Sequence, residues 1–142
     1  CLKGVENMEE MTVRVPVTIK SKVTESLKAK LIADLQQRLD MVEQDLQQIE
    51  FQAKRLLSEQ AKIDAQGLIQ LRQQIEEEKQ KRMNFKAEVA AKLKDAQALE
   101  IGSEIAQGTM EQTVTIKVGD NLDALMGSEI LLEDGKIIAF RQ

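Results

Sequence analysis

Residues 32–63, IADLQQRLDMVEQDLQQIEFQAKRLLSEQAKI, decide the fold, because their apolar side chains recur at alternating steps of three and four residues. This 3.5-residue repeat is typical of helices that pack along a narrow seam, whereas a globular helix carries a broader apolar stripe. The seam positions are Ile32, Leu35, Leu39, Val42, Leu46, Ile49, Ala53, Leu56, Gln60 and Ile63. The segment therefore predicts a coiled-coil helix.

A second seam follows it at Leu68, Leu71, Ile75, Glu78, Arg82, Phe85, Val89, Lys92, Ala96 and Leu99. Asp64 and Gly67, both poor helix formers, lie between the two seams. If the chain turns back near residues 62–68, the two seams face each other over their whole length, with Val42 opposite Val89. The sequence therefore predicts an antiparallel helical hairpin. One continuous helix of about 75 residues, which must dimerise to bury its seam, stays open as the alternative.

Both ends of the chain predict β structure. Residues 11–20, MTVRVPVTIK, alternate as a half-buried strand does, and Pro16 predicts that this strand lies at a sheet edge or bends. Residues 113–118, TVTIKV, alternate too, and Asp134-Gly135 between two apolar runs predicts a β-hairpin. Gly102 is the predicted helix C-cap.

These segments predict four regions: a tail at 1–10, a strand at 11–20, a helical hairpin at 21–99 that starts near Ser21 or Thr24, and a C-terminal β body at 100–142. Because a hairpin returns the chain to where it left, the N-terminal strand can join the C-terminal strands. The predicted fold class is α+β, with a long antiparallel coiled-coil helical hairpin projecting from a small antiparallel β barrel or sheet.

The composition excludes several kinds of chemistry. The chain has no His, Trp or Tyr, and its single Cys is Cys1, so imidazole catalysis, cysteine nucleophiles and His/Cys zinc sites are excluded within the chain. The acidic residues Asp120, Asp123, Glu129, Glu133 and Asp134 lack the spacing of an EF-hand and are interpreted as solvated turn residues. We predict no catalytic, cofactor-binding or metal-ligating residues, and no enzyme.

The cysteine and hydropathy patterns favour a cytoplasmic protein. One Cys cannot form an internal disulfide, and no apolar run approaches the ~20 residues that span a bilayer. Two readings of Cys1 stay open: a lipidated first residue, or a residue that precedes a natural start at Met8 or Met11.

Phe51 and Leu57 fall outside the first seam, and large apolar side chains on an outer helix face predict a further helix contact. We expect a protein partner or self-association, with a homodimer among the options, through these two residues. The net charge of −4 argues against nucleic acid as an obligatory partner. Two alternatives remain: an RNA- or ribosome-associated protein using Arg14, Lys20, Lys22, Lys28 and Lys30, and a prefoldin-like holdase using the hairpin tip at residues 58–70.

Three stretches carry a resemblance to a known family: LQQIEFQAKRLL at 46–57, GSEIAQGTMEQTVTIKVGDNLD at 102–123, and EILLEDGKIIAFR at 129–141. In these stretches, and in the order of strand, long helical segment and β-rich tail, residues 11–142 resemble the YlqD family of bacterial proteins. The resemblance implies a bacterial, cytosolic protein. It implies no catalytic residue, because the family has no assigned activity.

Overall fold

The structure is a computed structural model that describes residues 9–142, so Cys1 and most of the predicted tail lie outside the described residues. The described chain is α+β. Its strands are β1 (Glu10–Lys22), β2 (Glu104–Lys117), β3 (Glu129–Glu133) and β4 (Lys136–Arg141). Its helices are α1 (Glu25–Ala61), α2 (Ala65–Gln97) and the short α3 (Leu122–Leu125). The chain divides into a sheet unit, up to Leu27 and from Glu100 onward, and a helix unit, Lys28–Leu99.

The four strands form one open sheet in the order β2-β1-β3-β4. β1 pairs with β2 in antiparallel fashion over its whole length, and with β3 in parallel over Thr18–Ser21. The N-terminal strand therefore joins the C-terminal strands, as predicted. The predictions of a barrel and of a purely antiparallel sheet were wrong. β2 and β4 lie at opposite edges, and β3 covers only four residues of β1, so nothing closes the sheet.

Pro16 lies in a strand with a neighbour on each side, so of the two predicted options, an edge position or a bend, the edge position was wrong. It pairs with Glu111 of β2 on one side. The backbone N–H of Thr18 points to the other side, where it donates to the Ser128 carbonyl at 2.9 Å. The proline nitrogen, two residues earlier, faces that same side, before the β1–β3 pairing begins at Thr18. The missing N–H therefore costs the sheet no ladder bond.

The β3–β4 hairpin has the predicted Asp-Gly turn. Asp134 and Gly135 have φ values of 49° and 83°, and Glu133 pairs with Lys136, so the loop has the positive angles of a type I′ turn. Gly102 does not cap a helix, because α2 ends at Gln97 and Ala98 is its C-cap. Gly102 lies in the next turn, with φ of 92°, and donates its N–H to the Val23 carbonyl.

The core of the sheet unit is small and aliphatic. Val15, Val17, Val23 and Leu131 are buried, and the alternation predicted for 11–20 places the two β1 valines on one face. Ser21 is the buried polar residue among them, and its hydroxyl donates to the Gln107 side-chain oxygen at 2.6 Å. Gln107 lies where the β1–β2 register shifts, so this bond satisfies a buried hydroxyl at a β-bulge.

Both long helices begin at capping residues visible in the sequence. Thr24 accepts the N–H of Leu27, which fixes the start of α1 at the second of the two predicted positions. Asp64 is the N-cap of α2 and accepts the N–H of Gly67. Residues 62–64 leave the helical conformation, so one continuous helix is not the structure.

Two ion pairs join α1 to α2, Glu50 with Lys79 at 3.8 Å and Glu43 with Lys86 at 3.5 Å. Such pairs place the helices side by side in opposite directions, as in the predicted hairpin. Most covered positions follow the predicted seams, but four differ by one residue. The structure covers Leu57, Lys79, Lys86 and Leu93, whereas the sequence analysis selected Leu56, Glu78, Phe85 and Lys92. The coiled-coil geometry itself stays a prediction.

Candidate functional site

Phe51 lies on an outward face of α1 with 74% of its surface exposed. The residues that line a shallow groove with it are all amides: Gln44, Gln47, Gln48 and Gln52. Met41, 58% exposed, lies ten residues earlier. Steps of three, four and three residues connect Met41, Gln44, Gln48 and Phe51, which places them on one helix face. We call these four residues the Phe51 face.

Leu57 does not belong to the Phe51 face. It is half-buried and lines the cleft between α1 and α2 together with Ala53 and Ile75. The structure thus separates the two predicted interaction residues, since Phe51 faces outward and Leu57 contributes to helix packing. The exposed apolar residue that shares this face with Phe51 is Met41, which was not among the predicted interaction residues. The spacing of ten residues between Met41 and Phe51, one heptad plus three residues, was the sequence signal that places them on one helix face.

A second exposed apolar pair lies at the hairpin tip, one residue in the loop between α1 and α2 and one in the second turn of α2. Ile63 is 74% exposed and Ile69 is 68% exposed. Both lie within the 58–70 tip that the holdase alternative uses. Exposed β-branched residues at a helix turn contribute nothing to packing, so they mark a second surface of the helix unit.

An ionic cluster joins all four strands of the sheet unit. Arg141 of β4 binds Glu104 of β2 through both guanidinium nitrogens, at 3.1 and 2.5 Å, and also reaches Glu129 of β3 at 3.2 Å. Lys20 of β1 lies 2.7 Å from the same Glu129 carboxylate. The two cations and two carboxylates therefore balance in charge. The cluster connects the four strands, and the alternation of apolar and polar residues along a strand does not predict it.

The pKa values in this cluster shift in the directions that ion pairing demands. The bond from Arg141 lowers the pKa of Glu104, and Lys20, followed by Arg141, lowers the pKa of Glu129. The Glu104 carboxylate raises the pKa of Arg141 in turn. These shifts favour the charged forms of Glu104, Glu129 and Arg141. A general acid or base needs a pKa near the working pH, so the cluster has the properties of a structural network.

The acidic residues of the C-terminal segment have separate roles. Asp120 accepts the N–H of Lys117, Asp134 accepts the Thr24 hydroxyl, and Glu129 belongs to the ionic cluster. Residues 9–142 contain no group of three side chains arranged to hold a metal ion.

The basic residues of the RNA alternative are partly engaged. Arg14 pairs with Glu111, Lys20 with Glu129, and the Lys28 ammonium donates to the Leu99 carbonyl at 2.8 Å. Lys22 and Lys30 complete the predicted patch. A phosphate-binding surface needs cations that are available to the ligand, and two of these five, Lys20 and Lys28, are held by acceptors at short distance.

The sheet also carries an apolar groove, of about 580 Å³, that the sequence analysis did not predict. Val17, Met110, Ile130 and Phe140 line it, one from each strand. Phe140 is exposed at the β4 edge and Met110 at the β2 edge. No helix in the described part of the chain is long and apolar enough to cross a membrane.

These features define a class of protein: α+β, with an open four-stranded mixed sheet built from both ends of the described chain and two long helices that expose apolar side chains. The YlqD protein family matches residues 11–141, and the chain belongs to this family. The resemblance seen in the sequence is thereby confirmed.

Two individual proteins are similar to this chain. The uncharacterized protein YlqD of Bacillus subtilis (strain 168) is 27% identical over 127 residues, which cover 89% of this chain and 94% of the relative. The crystal structure of a protein of unknown function from Synechococcus sp. WH 8102 matches with a TM-score of 0.75 and 22% identity, over 94% of this chain and 95% of that one. This second likeness shows a shared fold.

Proposed function

We propose that this YlqD-family chain is a non-enzymatic protein-binding or scaffold protein, and that its α1–α2 pair receives a helix of a partner protein on the Phe51 face. The observation that carries the proposal is Phe51 itself, a large aromatic side chain that is 74% exposed in the middle of a helix. A buried aromatic anchor is the usual centre of a protein interface. An aromatic side chain left in water gives the helix no packing energy.

The packing of α1 against α2 leaves this face available. The buried α1 residues, Val42 and Ala53, and the half-buried Leu46 and Ile49 form the covered side of the helix. Met41, Gln44, Gln48 and Phe51 are exposed at heptad spacing beside it. A helix with two heptad faces can pack against two other helices at once.

The side chains of the Phe51 face indicate which kind of partner helix could bind there. The groove around Phe51 is lined by glutamine amides and contains no charged side chain. We expect an amphipathic partner helix whose apolar residues, at heptad spacing, surround Phe51 and Met41. Its flanking side chains would be amides or hydroxyls that bond the glutamines. This is the helix-in-groove mode of recognition.

A photo-crosslinking residue at position 51 of the full chain tests the proposal, with the same residue at exposed Gln73 of α2 as the matched control. We expect position 51 alone to give a cross-link, mapped to an amphipathic helix of one partner. Binding of a peptide of that helix is then measured by calorimetry. Phe51→Glu should weaken it at least about tenfold, because a carboxylate replaces the apolar anchor.

Ile69→Glu is the control for this measurement, since Ile69 is about as exposed as Phe51 but lies at the hairpin tip. We expect it to leave the peptide affinity unchanged. If Ile69→Glu removes binding while Phe51→Glu does not, the Phe51 face is not the site.

The holdase alternative keeps one specific observation in its favour, the exposure of Ile63 and Ile69. It predicts that the full chain suppresses aggregation of an unfolded client, and that Ile63→Ser with Ile69→Ser removes the suppression. Equal suppression by the double variant would contradict it. The RNA alternative has less support, because Lys20 and Lys28 already contact acceptors at 2.7 and 2.8 Å.

A further inference from the structure

The outer edge of β2 is the longest exposed strand edge in the described chain. β2 contains 14 residues and lies at the end of the sheet order, where β1 is its one neighbour. Its residues from Ala106 to Thr113 are exposed throughout. A long free edge offers unpaired N–H and C=O groups to another strand.

The register shows which backbone groups point outward. The N–H of Thr18 points to β3, and Thr18 pairs with Thr109, so the backbone groups of Thr109 point away from β1. The N–H of Val118 bonds the Glu9 carbonyl, so Val118 points to β1, in agreement with this alternation. Between the bulge and the end of β2, the residues that direct both backbone groups outward are therefore Thr109, Glu111, Thr113, Thr115 and Lys117. The Lys117 N–H already bonds the Asp120 carboxylate, so Lys117 offers only its C=O to a partner strand.

The other free flanks are protected. Pro16 removes the N–H on the open flank of β1, and β4 is six residues long with Lys136 and Arg141 at its ends. Proline, charge and short length are the usual means by which proteins prevent edge pairing. β2 is long and has no proline over residues 109–117, and its two charged residues there, Glu111 and Lys117, are opposite in sign, whereas both charges of β4 are positive. An edge without such protection is explained by a partner strand.

We infer that β2 pairs with the β2 strand of a second copy of this chain, in an antiparallel arrangement centred on Val114. In this register Glu111 lies directly opposite Lys117 of the second copy, and the two-fold axis repeats the pair. Thr113 faces Thr115, and Val114 faces Val114. Opposite charges and Thr pairs in these positions stabilise antiparallel strands.

Charge complementarity selects this register. Each register of a symmetric pair places outward-pointing residues opposite each other. Centring on Glu111 would oppose two carboxylates, and centring on Thr113 would oppose Glu111 to Thr115. The register centred on Val114 pairs both charges. The intrachain ion pair of Glu111 with Arg14 is long, at 3.7 Å, and both side chains are well exposed, so Glu111 remains available to a second copy.

Charge reversal tests the register with the full chain, by sedimentation equilibrium at low ionic strength. We expect wild type to form a dimer of 16.0 kDa chains. Glu111→Lys and Lys117→Glu each create two like-charge contacts and should weaken the dimer at least about tenfold. The double variant Glu111→Lys, Lys117→Glu restores both pairs and should return the dissociation constant to within about threefold of wild type.

A backbone variant tests the edge itself. Thr113→Pro removes an N–H that makes no bond to β1, so the sheet should keep its circular dichroism spectrum while the dimer is lost. Thr113→Val keeps the N–H and is the control that should still dimerise. If Thr113→Pro prevents folding, the charge series decides the question by itself.

A monomeric wild type at about 100 µM would overturn the inference, as would equal dissociation constants for wild type, both single charge variants and the double variant. A dimer abolished by Phe51→Glu and retained in Thr113→Pro would also overturn it, because the contact would then belong to the helices. The inference does not depend on the proposed partner helix, since Phe51→Glu is expected to leave the dimer intact.

Discussion

The four-stranded sheet and the α1–α2 pair are stabilised by different means. In the sheet, four buried aliphatic residues and an ionic cluster connect strands that are distant in sequence, such as β1 with β2 and β3. In the helix pair, the buried side chains lie along one seam between two helices: Val42, Ala53, Val89, Leu93 and Ala96. Exposed ion pairs lie beside them.

The difference shows where each unit can tolerate change. A sheet residue contacts neighbours on two strands, so a deletion leaves a cavity that cannot collapse. A helix in a two-helix pair contacts one neighbour, and the seam can shift to close a gap. A long helix pair with a thin seam keeps most of its surface for other contacts, which is why we place the partner site there.

The largest expected effect is the loss of buried leucine in the sheet. Leu131→Ala should lower the free energy of unfolding by about 4 kcal/mol, because Leu131 lies between β1 and β4. Leu93→Ala in α2 should cost about 2 kcal/mol, although both side chains are 8% exposed. Urea unfolding followed by circular dichroism measures both values. Equal costs, or a larger cost for Leu93→Ala, would contradict the comparison.

The ionic cluster should make the stability of the sheet depend on pH. Glu104 and Glu129 have pKa values lowered by folding, so their contribution is present above about pH 5 and is lost as the pH falls through the folded pKa values. Arg141→Gln should lower stability at pH 7 and flatten the decline below about pH 5. Stability measured at intervals from pH 7 downward through that decline tests the prediction.

Arg82→Gln is the matched control, because Arg82 pairs with Glu78 at 3.7 Å on the surface of α2, and loss of an exposed ion pair should leave stability at pH 7 within about 0.5 kcal/mol of wild type. An Arg141→Gln profile that parallels wild type would show that the cluster does not carry the pH dependence.

The helix pair should respond to a seam substitution by gaining stability. Lys86 occupies a half-buried position on α2, and Phe85 next to it is 46% exposed. Lys86→Leu should therefore raise the free energy of unfolding by about 1 kcal/mol, since apolar burial exceeds the value of an exposed ion pair. Lys92→Leu, at an exposed α2 position, should leave stability within about 0.5 kcal/mol. A larger gain from Lys92→Leu would instead support the second seam as predicted from the sequence, in which Lys92 is a seam position.

The parts of the fold that sequence patterns predicted are those with local signals. Val13, Val15 and Val17 alternate because one face of β1 is covered, and Asp134-Gly135 has the positive φ values its turn needs. The first nine residues of β2 were missed, because an edge strand with most side chains in water has no alternation to detect. A ten-residue strand at 11–20 nevertheless requires a partner of similar length, and that requirement was the available signal.

The candidate site was predicted in part for a related reason. Phe51 was found because a large aromatic outside a heptad seam is conspicuous, and the structure exposes it. Leu56 and Leu57 are adjacent and chemically identical, so only the rotation of α1 against α2 decides which of them packs. The ionic cluster depends on β1 and β3 running in parallel, which no pairwise spacing in the sequence specifies.

The smallest expected effect concerns the glycine within α2. Gly67 lies in the first turn of α2, and its φ is not positive, so no backbone conformation requires glycine there. A Cβ at this position would meet the end of the flexible Gln60 side chain, which can move away. Gly67→Ala should therefore stabilise the protein by about 0.5–1 kcal/mol through lower backbone entropy in the unfolded chain. Gly135→Ala, where φ is 83°, should destabilise it and serves as the opposite control. Thermal unfolding of both variants tests the prediction. A destabilised Gly67→Ala would show that the Gln60 side chain cannot move away from the added Cβ.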